Sequence, residues 1–198
     1  MLRGGIGFAF VSLAGFSVWA FAGKWLHSTL GEGGVYVACL VVFLGLSGVL
    51  MHPLVRGRRP LLRFYSIFVP AFFAYAVVWC AAWFVWRFGL GEWVGSLLGT
   101  VAFVTVTSLR LGHQRGFVKA CLVLFICHSA GYFMGGKFMQ WMAAPSVAAT
   151  LSGLSKAHLS VIAKLGWGLS YGAGFGVGIG FVFDSFQSQD NSAPDKSA

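Results

Sequence analysis

Acidic side chains are scarce in this chain, with five Asp and Glu among 198 residues. Glu32, Glu92, Asp184, Asp190 and Asp195 all fall at the ends of apolar runs or beyond them. Paired-carboxylate hydrolysis and carboxylate-bound metal chemistry therefore lack their residues. Ion-coupled transport is weakened too, because proton relays through a membrane use intramembrane acids. Sodium sites built from carbonyls at broken helices stay open. Charge of either sign is low, at 10% of residues, against about a quarter in soluble domains. Cysteine is limited to Cys39, Cys80, Cys121 and Cys127, all inside apolar runs and with no CxxC pair. These read as small core residues, not as a disulfide framework or a metal centre. Of the five prolines, Pro70 alone lies deep in an apolar run, where it predicts a kink.

The abundant residues are hydrophobic, 58% of the chain, with 17% aromatic and 28 glycines. Such a surface needs lipid as its solvent, and each crossing needs about 20 apolar residues. Six such runs are present, at about 4–26, 34–54, 64–86, 93–109, 117–136 and 164–183. The expected fold is all-α, a polytopic transmembrane helix bundle of about six spans over residues 1–183. Residues 184–198 are expected to be a disordered polar tail. Between the last two runs, Val147, Leu151, Leu154, His158, Ile162 and Leu165 recur at helical spacing among serines and lysines. An amphipathic helix lying at the interface is expected there. Ala20-Phe21-Ala22 before Gly23 fits a signal-peptidase site. Only Arg3 precedes the run, which stays apolar through Trp25 and Leu26, so it is read as a retained span.

The formal charge is +9, and it sits mainly between the apolar runs, which is a topology signal and not a nucleic-acid footprint. Arg56, Arg58, Arg59 and Arg63 separate runs two and three, while Arg110, Arg115 and Lys119 separate runs four and five. Basic loops resist translocation, so both termini are expected in the cytoplasm, with the chain in the cell's inner membrane and anionic lipids as partners on that face. Lys137, Lys156 and Lys164 fall on the other side and dissent.

Glycines recur every fourth residue at Gly168, Gly172, Gly176 and Gly180, and shorter ladders run through Gly91, Gly95 and Gly99 and through Gly131 and Gly135. Small residues at this spacing let two helix backbones touch, which gains van der Waals contact where lipid supplies no hydrophobic force. Packing within the bundle is the first reading, a homo-oligomer seam the second, and a pore or hinge face the third. Val177 is placed on the opposite face of the last run. The tryptophans concentrate toward run ends and read as interface anchors. The stretch from Gly131 to Lys137 fits GxxxxGK in spacing, but Phe138 stands where a magnesium-binding hydroxyl would be and no strand precedes it.

His128 is the one ionisable residue expected near mid-membrane, and such residues are functional candidates by default. Ser96 and Thr100, on the preceding run, lie at depths where they could partner it, and Gly95 and Gly99 would allow the approach. His52 sits at the end of its run, too far in depth for a haem pair with His128, so neither cofactor nor metal is expected. Passage of a small solute or ion through the bundle is the expected function. A noncatalytic scaffold or assembly subunit is the alternative, and an intramembrane enzyme using a serine or cysteine nucleophile comes third.

Overall fold

A computed structural model of the chain describes residues 1–151 and 153–188, and these form helices joined by short turns with no strand among them. Helix α1 spans Leu2–Ser17 and passes through a single wider turn, Val18–Ala22, into α2, Gly23–Met51. Then come α3 (Pro60–Trp86), α4 (Leu90–Leu111), α5 (Phe117–Met142), the short α6 (Pro145–Thr150) and α7 (Lys156–Gln187). Five continuous helical stretches are long and apolar enough to cross a membrane: Leu2–Leu54, Pro60–Trp86, Leu90–Leu111, Phe117–Met142 and Lys156–Gln187.

The first stretch does not run straight. Gly31 has φ 71° and ψ −175°, a left-handed backbone that glycine adopts without the penalty a Cβ would bring. The chain folds back there, so that Gly7 meets Leu50 and Met51, Gly15 meets Phe43, and the Cys39 thiol lies 3.4 Å from the Gly15 carbonyl. No polar loop is needed for this reversal.

Helix ends overrun the apolar runs because hydropathy marks the bilayer, not the last hydrogen-bonded turn. Helix α4 begins at Leu90, where the Glu92 carboxylate accepts from the Gly89 N–H at 3.0 Å, and stops at Gly112, φ 75°. Helix α7 begins at Lys156, capped by the Ser155 hydroxyl accepting from the His158 N–H at 3.2 Å. The stretch expected to form one amphipathic helix is therefore divided. Residues 138–142 extend α5, six residues form α6, and the chain from 156 onward is already α7. Pro145 at the start of α6 and the Ser155 cap impose these breaks. At the far end α7 continues four residues beyond the expected span. Phe186 and Gln187 are buried there, because the Gln187 side chain donates to the Leu54 and Phe183 carbonyls and accepts from the Arg56 N–H at 2.8 Å. The remainder of the expected tail, from residue 189, lies outside the described residues.

The rods pack in the cyclic order α1, α2, α3, α4, α5, α7, with α7 closing the ring against α1. The interior is filled by aromatic rings and is not open. Phe64, Phe68 and Phe72 stack up one face of α3 at 4.9 and 5.3 Å, spaced four residues apart on a helix that runs unbroken through Pro70. Phe175 of α7 meets Phe8 at 5.4 Å, Phe103 at 5.9 Å and Tyr75 at 4.7 Å. Offset and edge-to-face rings of this kind contribute about 0.5–1.5 kcal/mol per pair beyond their burial. The outer surface is apolar instead, with Phe10, Phe21, Val41, Leu62, Leu109, Ile126 and Met134 exposed, as lipid contact requires.

Helix α7 presents glycine to two neighbours at once. A Cβ built on Gly168, Gly172 or Gly176 would come within 3.0 Å of Phe16, of Ser12 with the α1 backbone, and of Gly4 with Phe8. Gly180 faces Met1. Gly166, Gly174 and Gly178 meet Phe138, Cys127 with Gly131, and Leu124 of α5, and Gly135 in turn seats Trp167. Gly91, Gly95 and Gly99 receive Ala82 with Trp83, Trp79 and Tyr75 of α3. Val177 is not on a free face: its methyl group lies against Gly5 of α1. Leu169 is among the exposed residues of α7.

The two ends of the bundle differ in charge. Met1, the 55–59 turn, the 112–116 turn and the end of α7 share one end, where Arg56 pairs with Asp184 at 3.2 Å. Gly31, the 87–89 turn and Glu92 share the other, where Arg87 pairs with Glu32 at 3.6 Å. Both pairs are exposed and each contributes about 0–1 kcal/mol.

Candidate functional site

His128 of α5 is fully buried and points to the axis of the ring, not to lipid. The Tyr75 hydroxyl of α3 lies 2.6 Å from its Nε2, and the Tyr171 hydroxyl of α7 lies 3.2 Å from that of Tyr75. Three helices thus place their polar groups on one short line. The order that gives each hydroxyl proton an acceptor has Tyr171 donating to Tyr75 and Tyr75 donating to Nε2, and that order puts the imidazole proton on Nδ1. Nδ1 has no hydrogen-bond partner. Phe175 stands edge-on to the imidazole at 4.9 Å, and Tyr132 lies parallel to it at 6.0 Å.

From this line a connected set of aromatic residues leads toward the Glu92 end. Tyr132 meets Trp79 at 5.7 Å and Trp167 at 5.3 Å, Trp79 stacks on Trp83 at 5.8 Å, and the Tyr132 hydroxyl donates to Glu92 at 3.1 Å. The indole nitrogens of Trp79, Trp83 and Trp167 are buried without a partner. These three were expected as interface anchors; Trp79 and Trp167 turn inward because Gly95 and Gly135 leave room on the facing helices. Trp25, Trp86, Trp93 and Trp141 are exposed.

Ser96 and Thr100 are both buried on α4. The Thr100 hydroxyl donates to the Ser96 and Leu97 carbonyls of its own helix, at 2.7 and 3.0 Å. The Ser96 hydroxyl has no partner, nor does that of Ser129 on α5. The pairs Glu92–Tyr132 and Trp93–Phe133 set the antiparallel register of α4 and α5, which brings Ser96 and Thr100 close in depth to His128. The hydroxyls that His128 actually engages come from α3 and α7. In the sequence, Tyr75 and Tyr171 are two polar-tipped residues deep in apolar runs, which is the signal that marks them.

Among the described residues no three His, Cys, Asp or Glu side chains come together as a metal-binding group. His52 bonds carbonyls of its own helix, and His158 pairs with Ser155. The arrangement defines a class: an all-helical protein whose five long apolar stretches fit an integral membrane protein, with a buried tyrosine–histidine–tryptophan cluster in one half of its interior. No protein-family model, curated protein or solved structure matches the chain.

Proposed function

We propose that the chain is a membrane transporter for a small solute, held here in an occluded state. The observation that carries this reading is the set of six buried polar atoms without partners, on Trp79, Trp83, Ser96, His128, Ser129 and Trp167. Each unpaired buried group costs about 1–3 kcal/mol, and in a purely structural core selection would have replaced such groups or paired them. Water or a solute entering this half of the bundle would satisfy them, so the occluded packing is offset by an open, occupied one. The other half, sealed by Phe68, Phe72, Phe103 and Phe175, acts as the closed gate. The wide turn at Val18–Ala22 and the glycine seams of α7 supply places where α1 can shift without breaking side-chain packing.

The reversal at Gly31 gives the chain six crossings in this proposal, with Met1 and the end of α7 at the arginine-rich end. That end faces the cytoplasm of the inner membrane and attracts anionic lipids through Arg56, Arg58, Arg59 and Arg63. A thiol introduced by Arg58→Cys should label only from the cytoplasmic side; labelling from outside intact cells inverts the topology.

Purified protein in liposomes should raise the flux of a small solute above that of empty vesicles. Trp79→Phe, which keeps a smaller aromatic ring and removes the N–H, should lower that flux. A scaffold or assembly subunit is the competing reading, favoured by the glycine seams and the aromatic filling. Absence of flux for every ion and small neutral solute tried would establish it in place of transport.

A further inference from the structure

We propose that the solute taken by the polar half of the bundle is a small anion. The inference rests on the transport reading above and adds the chemistry of what is carried. The unpartnered buried nitrogens are all hydrogen-bond donors in the arrangement described: the indole N–H groups of Trp79, Trp83 and Trp167, and Nδ1–H of His128. The two remaining unpartnered atoms are the Ser96 and Ser129 hydroxyls, which donate equally well. Among the described residues no buried carboxylate or amide oxygen is left unpaired. A cation entering here would shed water and find no free oxygen of that kind, whereas an anion would exchange water for N–H and O–H donors.

Glu92, the carboxylate bonded to this cluster, has a partner on each oxygen and keeps its negative charge. Glu92 accepts from the Tyr132 hydroxyl through one oxygen and from the Gly89 N–H through the other. Positive charge lies close to the donor set: Lys164 Nζ sits 4.8 Å over the Trp19 ring, and that ring meets Trp167 at 5.9 Å. A lysine ammonium therefore stands one ring away from an indole N–H with nothing to bind.

The test uses the wild-type protein in liposomes loaded with potassium chloride or potassium nitrate. Valinomycin compensates charge, and anion efflux is read with an ion-selective electrode. Parallel vesicles report urea and acetamide entry by light scattering, and potassium flux without valinomycin. Expected is chloride or nitrate efflux well above empty vesicles, with urea, acetamide and potassium at background. A lost hydrogen bond to a charged partner should slow efflux at least about tenfold in Trp79→Phe and in Trp167→Phe. Variants that no longer melt cooperatively in detergent are discarded, since the wild-type selectivity alone decides the matter. Passage of urea or acetamide without anions, or of potassium, overturns the anion assignment and leaves transport standing. No flux of any probe overturns transport itself.

Discussion

Leucine in place of Gly172 or Gly176 is expected to unfold the bundle in detergent at a markedly lower temperature than wild type. At Gly172 even the first added carbon meets Ser12, Ala9 and the Phe8 carbonyl, and at Gly176 it meets Gly4 and Phe8, all within 3.0 Å. Much of that surface is α1 backbone, which cannot move aside as a flexible side chain can. Overpacking usually costs about 1–3 kcal/mol, and separation of α1 from α7 would forfeit the contacts along the rest of the seam. Leu169→Ala, on the exposed face of the same helix, is the control and should melt like wild type. Thermal unfolding followed by circular dichroism, with crosslinking to report oligomeric state, measures both. Wild-type melting in both leucine variants would show that α1 and α7 need not touch. Unchanged stability with altered flux would move these glycines from packing to gating.

His128→Phe is expected to abolish most transport while lowering the melting temperature only modestly. The substitution keeps an aromatic ring against Phe175 and Tyr132 but removes the acceptor of the Tyr75 hydroxyl and the free Nδ1–H. Tyr75 retains Tyr171 as a partner but one hydroxyl proton of the pair loses its acceptor, so the stability loss should stay within about 1–3 kcal/mol. Tyr75→Phe should reproduce the defect, because it breaks the same line from the α3 side. Flux in reconstituted vesicles and melting in detergent, measured on one preparation, separate the two roles. A lowered melting temperature with wild-type flux would reduce His128 to a packing residue.

His128 was legible in the sequence because an ionisable group in an apolar run stands out against its neighbours. Its partners were not. Ser96 and Thr100 are near it in depth, yet depth fixes only one of the two coordinates needed for contact. The other is the angle at which each helix faces the axis, and a single helix carries no record of its neighbours' angles. Trp79 and Trp167 illustrate the same loss: proximity to a run end suggested the interface, while the glycines opposite drew them inward. Val177 failed for a related reason, since α7 touches α1 and α5 together and has a narrower free face than one ladder of glycines implied.

The chain by itself determined its solvent and its secondary structure. A composition this poor in charge and rich in long apolar runs can satisfy its backbone in lipid only by forming helices or a closed barrel, and runs of about 20 residues select helices. Turn positions also follow locally, from Gly31, Gly89 and Gly112, where a positive φ is needed. Tertiary structure decided the cyclic order of the rods, the closing of α7 on α1, and the meeting of Tyr75, His128 and Tyr171. Those outcomes depend on which side chains fit into which gaps across long sequence separations. Glycine permits close approach to any neighbour, and only the assembled ring selects which neighbour that is.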